Sequence, residues 1–223
     1  WSSDVCSSDL VGTTRSRINS DVATASTTYC YEDGTTAQAA DECDTVKDLN
    51  DGQYTINYEA GSLAVASWAP SYWYQGPDHT TDTNGRMALF NATNDITDEF
   101  YRTIVQGVTA NAPLTYSFWI LNLDRSDAPG IGSRNRPNIS VEFRDLSNNL
   151  ISTISTGDIA PTSAGNSTGD WYNFSASFIP ATTGFSIVFR NNQPGGLGND
   201  LALDDIMITQ TLTDSDQDGL PDV

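Results

Sequence analysis

The chain has 223 residues, enough for one sizeable domain with additions, and its 29 Asp and Glu against 10 Lys and Arg give a net charge of −19. Such a surface repels DNA, RNA and anionic lipid, and it suits a medium rich in cations such as calcium. Only 17 % of residues are charged, Asn, Ser, Thr and Gly abound, and no apolar run approaches a membrane span, which is the profile of a secreted β-protein.

Residues 1–10, WSSDVCSSDL, differ in character from the rest of the chain. They resemble translated sequencing-adapter sequence and are set apart from the fold. With no initiator Met and no leader, the chain reads as a fragment of a longer protein. Setting Cys6 aside leaves Cys30 and Cys43, an even pair that in a secreted chain points to a disulfide closing a short loop, with two free thiols as the alternative. Residues 11–49 are polar and weakly patterned, and read as a lead-in or linker.

From Asn50 the signals are those of an all-β domain. Candidate strands cover 53–59, 63–69, 86–91 and 100–108. Leu114–Leu123 (LTYSFWILNL) is strongly apolar and aromatic. Residues 138–144 alternate, with Ile139, Val141 and Phe143 on one face, and pair with 150–155 across the hairpin turn Ser147-Asn148-Asn149. Residues 171–178, 185–190 and 201–210 close the set. Short strands at close spacing without a long helical period predict a two-sheet antiparallel β-sandwich, a jelly roll, over 50–210.

Two stretches within it bear on function. Trp68, Tyr72, Trp73 and Tyr74 lie around Pro70 and beside Gly76-Pro77, where a sugar-stacking platform would form; the alternative is that these rings cap one end of the sandwich. The second is the closing segment, GGLGNDLALDDIMIT from Gly195 to Thr209. Strict alternation puts Ala202, Asp204, Ile206 and Ile208 on one face, and Leu201, Leu203, Asp205 and Met207 on the other. Both faces are mostly apolar, so at least one aspartate needs a partner, and an oxygen-only set suits calcium; solvated carboxylates at a rim are the alternative. Beyond residue 210 the pattern changes. Asp214, Asp216, Asp218 and Asp222 stand at loop positions 1, 3, 5 and 9 with Gly219 at position 6, the spacing of a calcium loop.

These pieces carry two resemblances. DSDQDGLPDV looks like the opening of a thrombospondin type 3 calcium repeat, of the kind that follows modules of Bacteroidetes-type bacterial surface proteins. DGQYTI (51–56), DHTTDTNGRMALFNA (78–92) and GNDLALDDIMI (198–208), in that order, resemble MAM-like and carbohydrate-binding-like jelly rolls, galactose-binding-like in fold. The cysteines of animal MAM domains are missing from this sandwich. The resemblance implies a structural calcium held by Asp204, with Asp205 second and Asp78 as a distant ligand, and a glycan or a surface protein as partner.

Catalysis has little support in the sequence. His79 is the single histidine and sits in a loop motif, no nucleophile elbow occurs, and no zinc or phosphate-loop spacing is present. Arg125, Arg134 and Arg136 share a loop with Asp124 and Asp127, where they would meet an acidic glycan or form local salt bridges. The reading is a non-enzymatic, extracellular or cell-surface, calcium-stabilised module for adhesion or glycan binding beside neighbouring domains. A spacer without ligand and an accessory module of a polysaccharide-degrading enzyme are its alternatives.

Overall fold

The structure, a computed structural model, describes residues 2–6, 15–34, 47–62, 65–80 and 83–210. Its elements in chain order are β1 (Ser2–Cys6), α1 (Ile18–Asp21), β2 (Cys30–Tyr31), β3 (Gln53–Asn57), α2 (Ala69–Tyr72), β4 (Met87–Asn91), β5 (Glu99–Gln106), β6 (Leu114–Arg125), β7 (Ile139–Arg144), β8 (Leu150–Ser155), β9 (Pro161–Thr162), β10 (Tyr172–Phe178), β11 (Gly184–Asn191) and β12 (Asp200–Thr209). They form two sheets. The larger runs β10-β6-β12-β4-β3-β2, with β1 added to β12 and β9 to β6; the smaller runs β5-β11-β7-β8. All pairings are antiparallel except β2–β3 and β6–β9. The chain is an all-β two-sheet sandwich.

Alternation along the strands builds the core. Tyr116, Phe118 and Ile120 of β6 face Phe143 of β7 and Phe185, Ile187 and Phe189 of β11, all at most 1 % exposed. Each such side chain contributes about 1.5–3 kcal/mol by leaving water. The larger sheet is also covered on its other face. Leu49, Ala60, Val65, Ala66, Ala69, Trp73 and Tyr74 pack there on Met87, Leu89, Leu121, Leu123 and Ala202. Burial on both faces explains why β3 and β4 are buried at every position.

The structure departs from the sequence expectation at three places. Residues 15–34 are no separate lead-in: Ile18, Ala25, Tyr29 and Tyr31 are buried in the sandwich core, and Tyr29 stacks on Phe100 at 5.0 Å. Ser26 and Arg102 exchange two backbone hydrogen bonds of 2.8 Å. A few anchors spaced through polar sequence suffice to hold the segment, and no periodicity reveals them. Of the strand expected over 63–69, the described residues 65–69 form none; the chain turns there and enters α2, with Pro70 in its first turn. The third departure is a bulge in β12, between Asp204 and Met207.

Ser2–Cys6, within the adapter-like string, runs antiparallel along Ile206–Thr209 of β12. Cys30 is disulfide-bonded, and its expected partner Cys43 lies outside the described residues, as do Asp214, Asp216, Asp218 and Asp222. No described helix is long and apolar enough to cross a membrane.

Candidate functional site

The closing strand β12 breaks its own alternation. Its register against β6 shifts between Asp204 and Met207, and Asp205 takes a left-handed backbone, φ 49°. The buried core face is therefore Leu201, Leu203, Ile206 and Ile208, while Ala202 belongs to the cover on the opposite face. Strict alternation places Ile206 and Ile208 with Ala202, and the bulge overturns that. It also has a chemical result: both adjacent carboxylates meet the loop at 78–79. Asp204, 1 % exposed, accepts the backbone N–H of His79 at 2.9 Å on one oxygen and that of Asp205 at 2.9 Å on the other. Asp205 pairs with His79 Nδ1 at 2.8 Å, and the imidazole stacks on Trp119 with centroids 3.7 Å apart.

Asp78 is buried nearby and accepts the Thr80 hydroxyl at 2.6 Å. Burial, and then the charges of Asp205 and Asp78, push the Asp204 carboxyl up to about 8 against the opposing N–H bonds. The structure thus brings Asp78, Asp204 and Asp205 into one neighbourhood. Among the described residues no group of three or more His, Cys, Asp or Glu side chains is already drawn together in the geometry of an ion site.

The aromatic segment divides in two. Trp73 and Tyr74 are 0 % and 1 % exposed and are core residues, which removes them from any platform. Trp73 Nε1 donates to Asp200 Oδ2 at 3.1 Å, and the Tyr74 hydroxyl donates to the carbonyl of Pro77 at 2.9 Å. The turn of α2 ends at Tyr72, and the extended backbone that follows lays Trp73 and Tyr74 along β6: Trp73 bridges to Asp124 and the Tyr74 N–H donates to the Leu123 carbonyl at 2.6 Å. Trp68 and Tyr72 stay half-buried, edge to face at 6.4 Å.

These two rings form one wall of a cavity of about 220 Å³, closed by Asn50, Asp51, Asn91, Arg134, Leu197 and Asp200. Arg134 is fixed there by its surroundings. Its Nε donates to Asp124 Oδ2 at 2.7 Å, its Nη2 to Asp200 Oδ2 at 3.3 Å, and its guanidinium lies over the Tyr72 ring at 5.0 Å. The turn Gly195–Asn199 holds this arginine in place: Asn135 donates to the carbonyl of Leu197, and Asn199 donates to that of Asn135. A side chain at Gly198, φ +89°, would strike the Asn135 carbonyl oxygen at 2.5 Å. One guanidinium thus serves two buried carboxylates. Burial first, and the Asp124 charge second, raise Asp200. Oδ1 of both Asp124 and Asp200 is buried and accepts no hydrogen bond. Arg125 is engaged as well, with Asp127 at 2.9 Å and the Pro70 carbonyl at 3.0 Å.

The outer face of the smaller sheet has a different chemistry. Arg102, Glu99, Arg190, Glu142 and Arg144 form a continuous ladder of ion pairs, 2.8–3.1 Å apart.

No family model and no curated protein matches the sequence. Solved structures are similar to parts of the chain. The enzymatically active domain of tailspike protein 4 of bacteriophage CBA120 aligns over 71 % of this chain, which spans 18 % of that one, at 9 % identity and TM-score 0.42. The K1 cleaved adhesin domain of Lys-gingipain from Porphyromonas gingivalis W83 aligns over 71 % of this chain and 83 % of its own, at 13 % identity and TM-score 0.40. The CBM22-1 xylan-binding domain of Paenibacillus barcinonensis Xyn10C aligns over 58 % and 74 %, at 9 % identity and TM-score 0.37.

Among the residues that shape the cavity, sequence reasoning finds Trp68 and Tyr72 but misses Asp51, Asn91 and Asp200. These come from three strand ends that are adjacent only in the folded sheet: Asn91 pairs with Gln53 and with Asp200. The one signal present in the sequence is Gly195–Asn199, a glycine-rich turn running into an apolar strand.

Proposed function

We propose that this chain is a non-catalytic binding module that takes a sugar in the cavity between Trp68, Tyr72 and Asp200. The observation that carries the reading is the buried, unpartnered Asp200 Oδ1 in the wall of a cavity that also presents two half-buried aromatic rings and two asparagines. Rings accept the C–H faces of a pyranose, and carboxylates and amides fix its hydroxyls. A free carboxylate oxygen in a dry wall gains a hydrogen bond when a hydroxyl arrives. His79 takes no catalytic part in this reading, since its ring is held between Asp205 and Trp119.

Calcium belongs to the proposal as a structural ion. The crowding of Asp78, Asp204 and Asp205 supports it, because neighbouring carboxylates at a buried site need a cation or a proton. An extracellular setting in a larger surface protein, with a MAM-like module followed by a thrombospondin-type calcium repeat, is the sequence-based part of the same proposal.

A glycan array with the intact chain, followed by titration of the best ligand, tests the reading. Trp68→Ala and Tyr72→Ala are each expected to weaken binding by about 1–3 kcal/mol with the fold retained. An array without a hit, or full affinity in both variants, overturns it; the former favours a spacer.

A further inference from the structure

We infer that the Trp68–Tyr72–Asp200 cavity selects sugars that carry a free amino group over their acetylated, neutral and acidic counterparts. This rests on the sugar-binding reading and adds the ligand class. The inference comes from the balance of charge and of hydrogen-bonding groups in the cavity. Asp51 stands in its wall, Asp200 lines it with one oxygen accepting nothing, and Asp124 lies just behind, 2.7 Å from Arg134.

One guanidinium therefore stands among three acidic side chains and is bonded to two of them, Asp124 and Asp200. That guanidinium is bonded to Asp124 and Asp200 and stacked on Tyr72, so it is committed within the wall. A carboxylate-bearing sugar entering here meets Asp51 and Asp200 with no uncommitted cation among the described lining residues, on a chain of net charge −19.

An ammonium group matches what the wall lacks. It brings three donors and no acceptor, and the cavity offers carboxylate acceptors, one of them unpartnered. The half-buried rings of Trp68 and Tyr72 add attraction for a cation over an aromatic face. Acetylation of the same amine removes the charge and two of the donors, and adds a bulky acyl group to a space of about 220 Å³. A neutral hydroxyl at that position satisfies Asp200 Oδ1 with one donor but leaves the carboxylates without a counter-charge. The charge preference is thus set chiefly by Asp51, because burial keeps the proton on Asp200 well above the usual carboxylate range; Asp200 contributes as a hydrogen-bonding group, and the rings hold every sugar while adding attraction for the cationic one.

The test is calorimetric titration of the whole chain at pH 6 with matched oligosaccharides of glucosamine, N-acetylglucosamine, glucose and glucuronic acid. The amino oligosaccharide is expected to bind on the order of tenfold tighter than the acetylated one, the scale of one partly screened charge pair. Asp51→Asn, at the exposed rim, is expected to bring that ratio close to one. Asp200→Asn gives a second reading, with its melting curve recorded alongside. Equal or tighter binding of the acetylated or neutral sugar overturns the amino preference and leaves the sugar-binding reading standing. Binding of none of the four overturns the preference, and a blank broad array then overturns both. A preference for the amino sugar that survives Asp51→Asn and Asp200→Asn together is general attraction to an acidic surface and also overturns the inference.

Discussion

Asp204 is a carboxyl group held where water cannot reach it, and its acidity reports on that. Its ordinary value of 3.8 rises to about 8, chiefly through burial and then through Asp205. Between those values the folded chain holds a proton that the unfolded chain has released. Stability therefore falls as pH rises from about 4 to about 8, at most by about 1.4 kcal/mol per pH unit for this one group, and levels off above. Asp200, raised for the same reason, acts in the same direction. Glu99 and Glu142, lowered by their arginine partners, act only at more acid pH. In excess chelator, melting temperature should thus decline from pH 5 to pH 8, and Asp204→Asn should flatten part of that decline. An unchanged slope in the variant would mean that Asp204 stays ionised in the fold. The adjacent aspartates are visible in the sequence as a problem needing a solution. The left-handed Asp205 that turns both toward one loop is not, because a bulge leaves no periodic mark.

The segment 68–74 shows what a single helical turn does with four aromatic residues. Trp73 fills the cover of the larger sheet and donates to Asp200, so Trp73→Ala removes a large buried ring and strands a carboxylate. A loss of about 3–5 kcal/mol is expected in denaturant unfolding, against about 1 kcal/mol for the half-buried Trp68. Similar costs for the two would show that the cover is not packed as described. Sequence patterning locates this segment and its composition. It does not say which ring faces inward, since a helix of four residues is too short to show a period. The strands fare better: β6, β7, β10, β11 and β12 lie close to where alternation and turn residues place them. Those strands are long enough for the period of two to be read, whereas Cys30–Tyr31 and Pro161–Thr162 have two residues each and offer none.

At the scale of the molecule, two neighbourhoods gather acidic side chains among the described residues. The Asp78–Asp204–Asp205 neighbourhood and the Asp51–Asp124–Asp200 cavity lie at different points along β12. The first is where an ion would relieve repulsion. Chelation of the protein as purified is expected to lower its melting temperature, with calcium and not magnesium restoring it, because an ion that binds only the folded state stabilises it by mass action. An unchanged melting curve, on protein shown to be free of metal, would leave the proton on Asp204 as the neutralising agent. The cavity, for its part, spans two layers: Trp68 and Tyr72 belong to the cover, Asn91 and Asp200 to the sheet beneath. The cover rests on the sheet by one face only, so it has its own route to opening, separate from the unfolding of the sandwich. A ligand seated between the two layers acts as a fastener. Its arrival should register in amide hydrogen exchange as slower exchange across 65–74, with the central strands of the sheet exchanging as before.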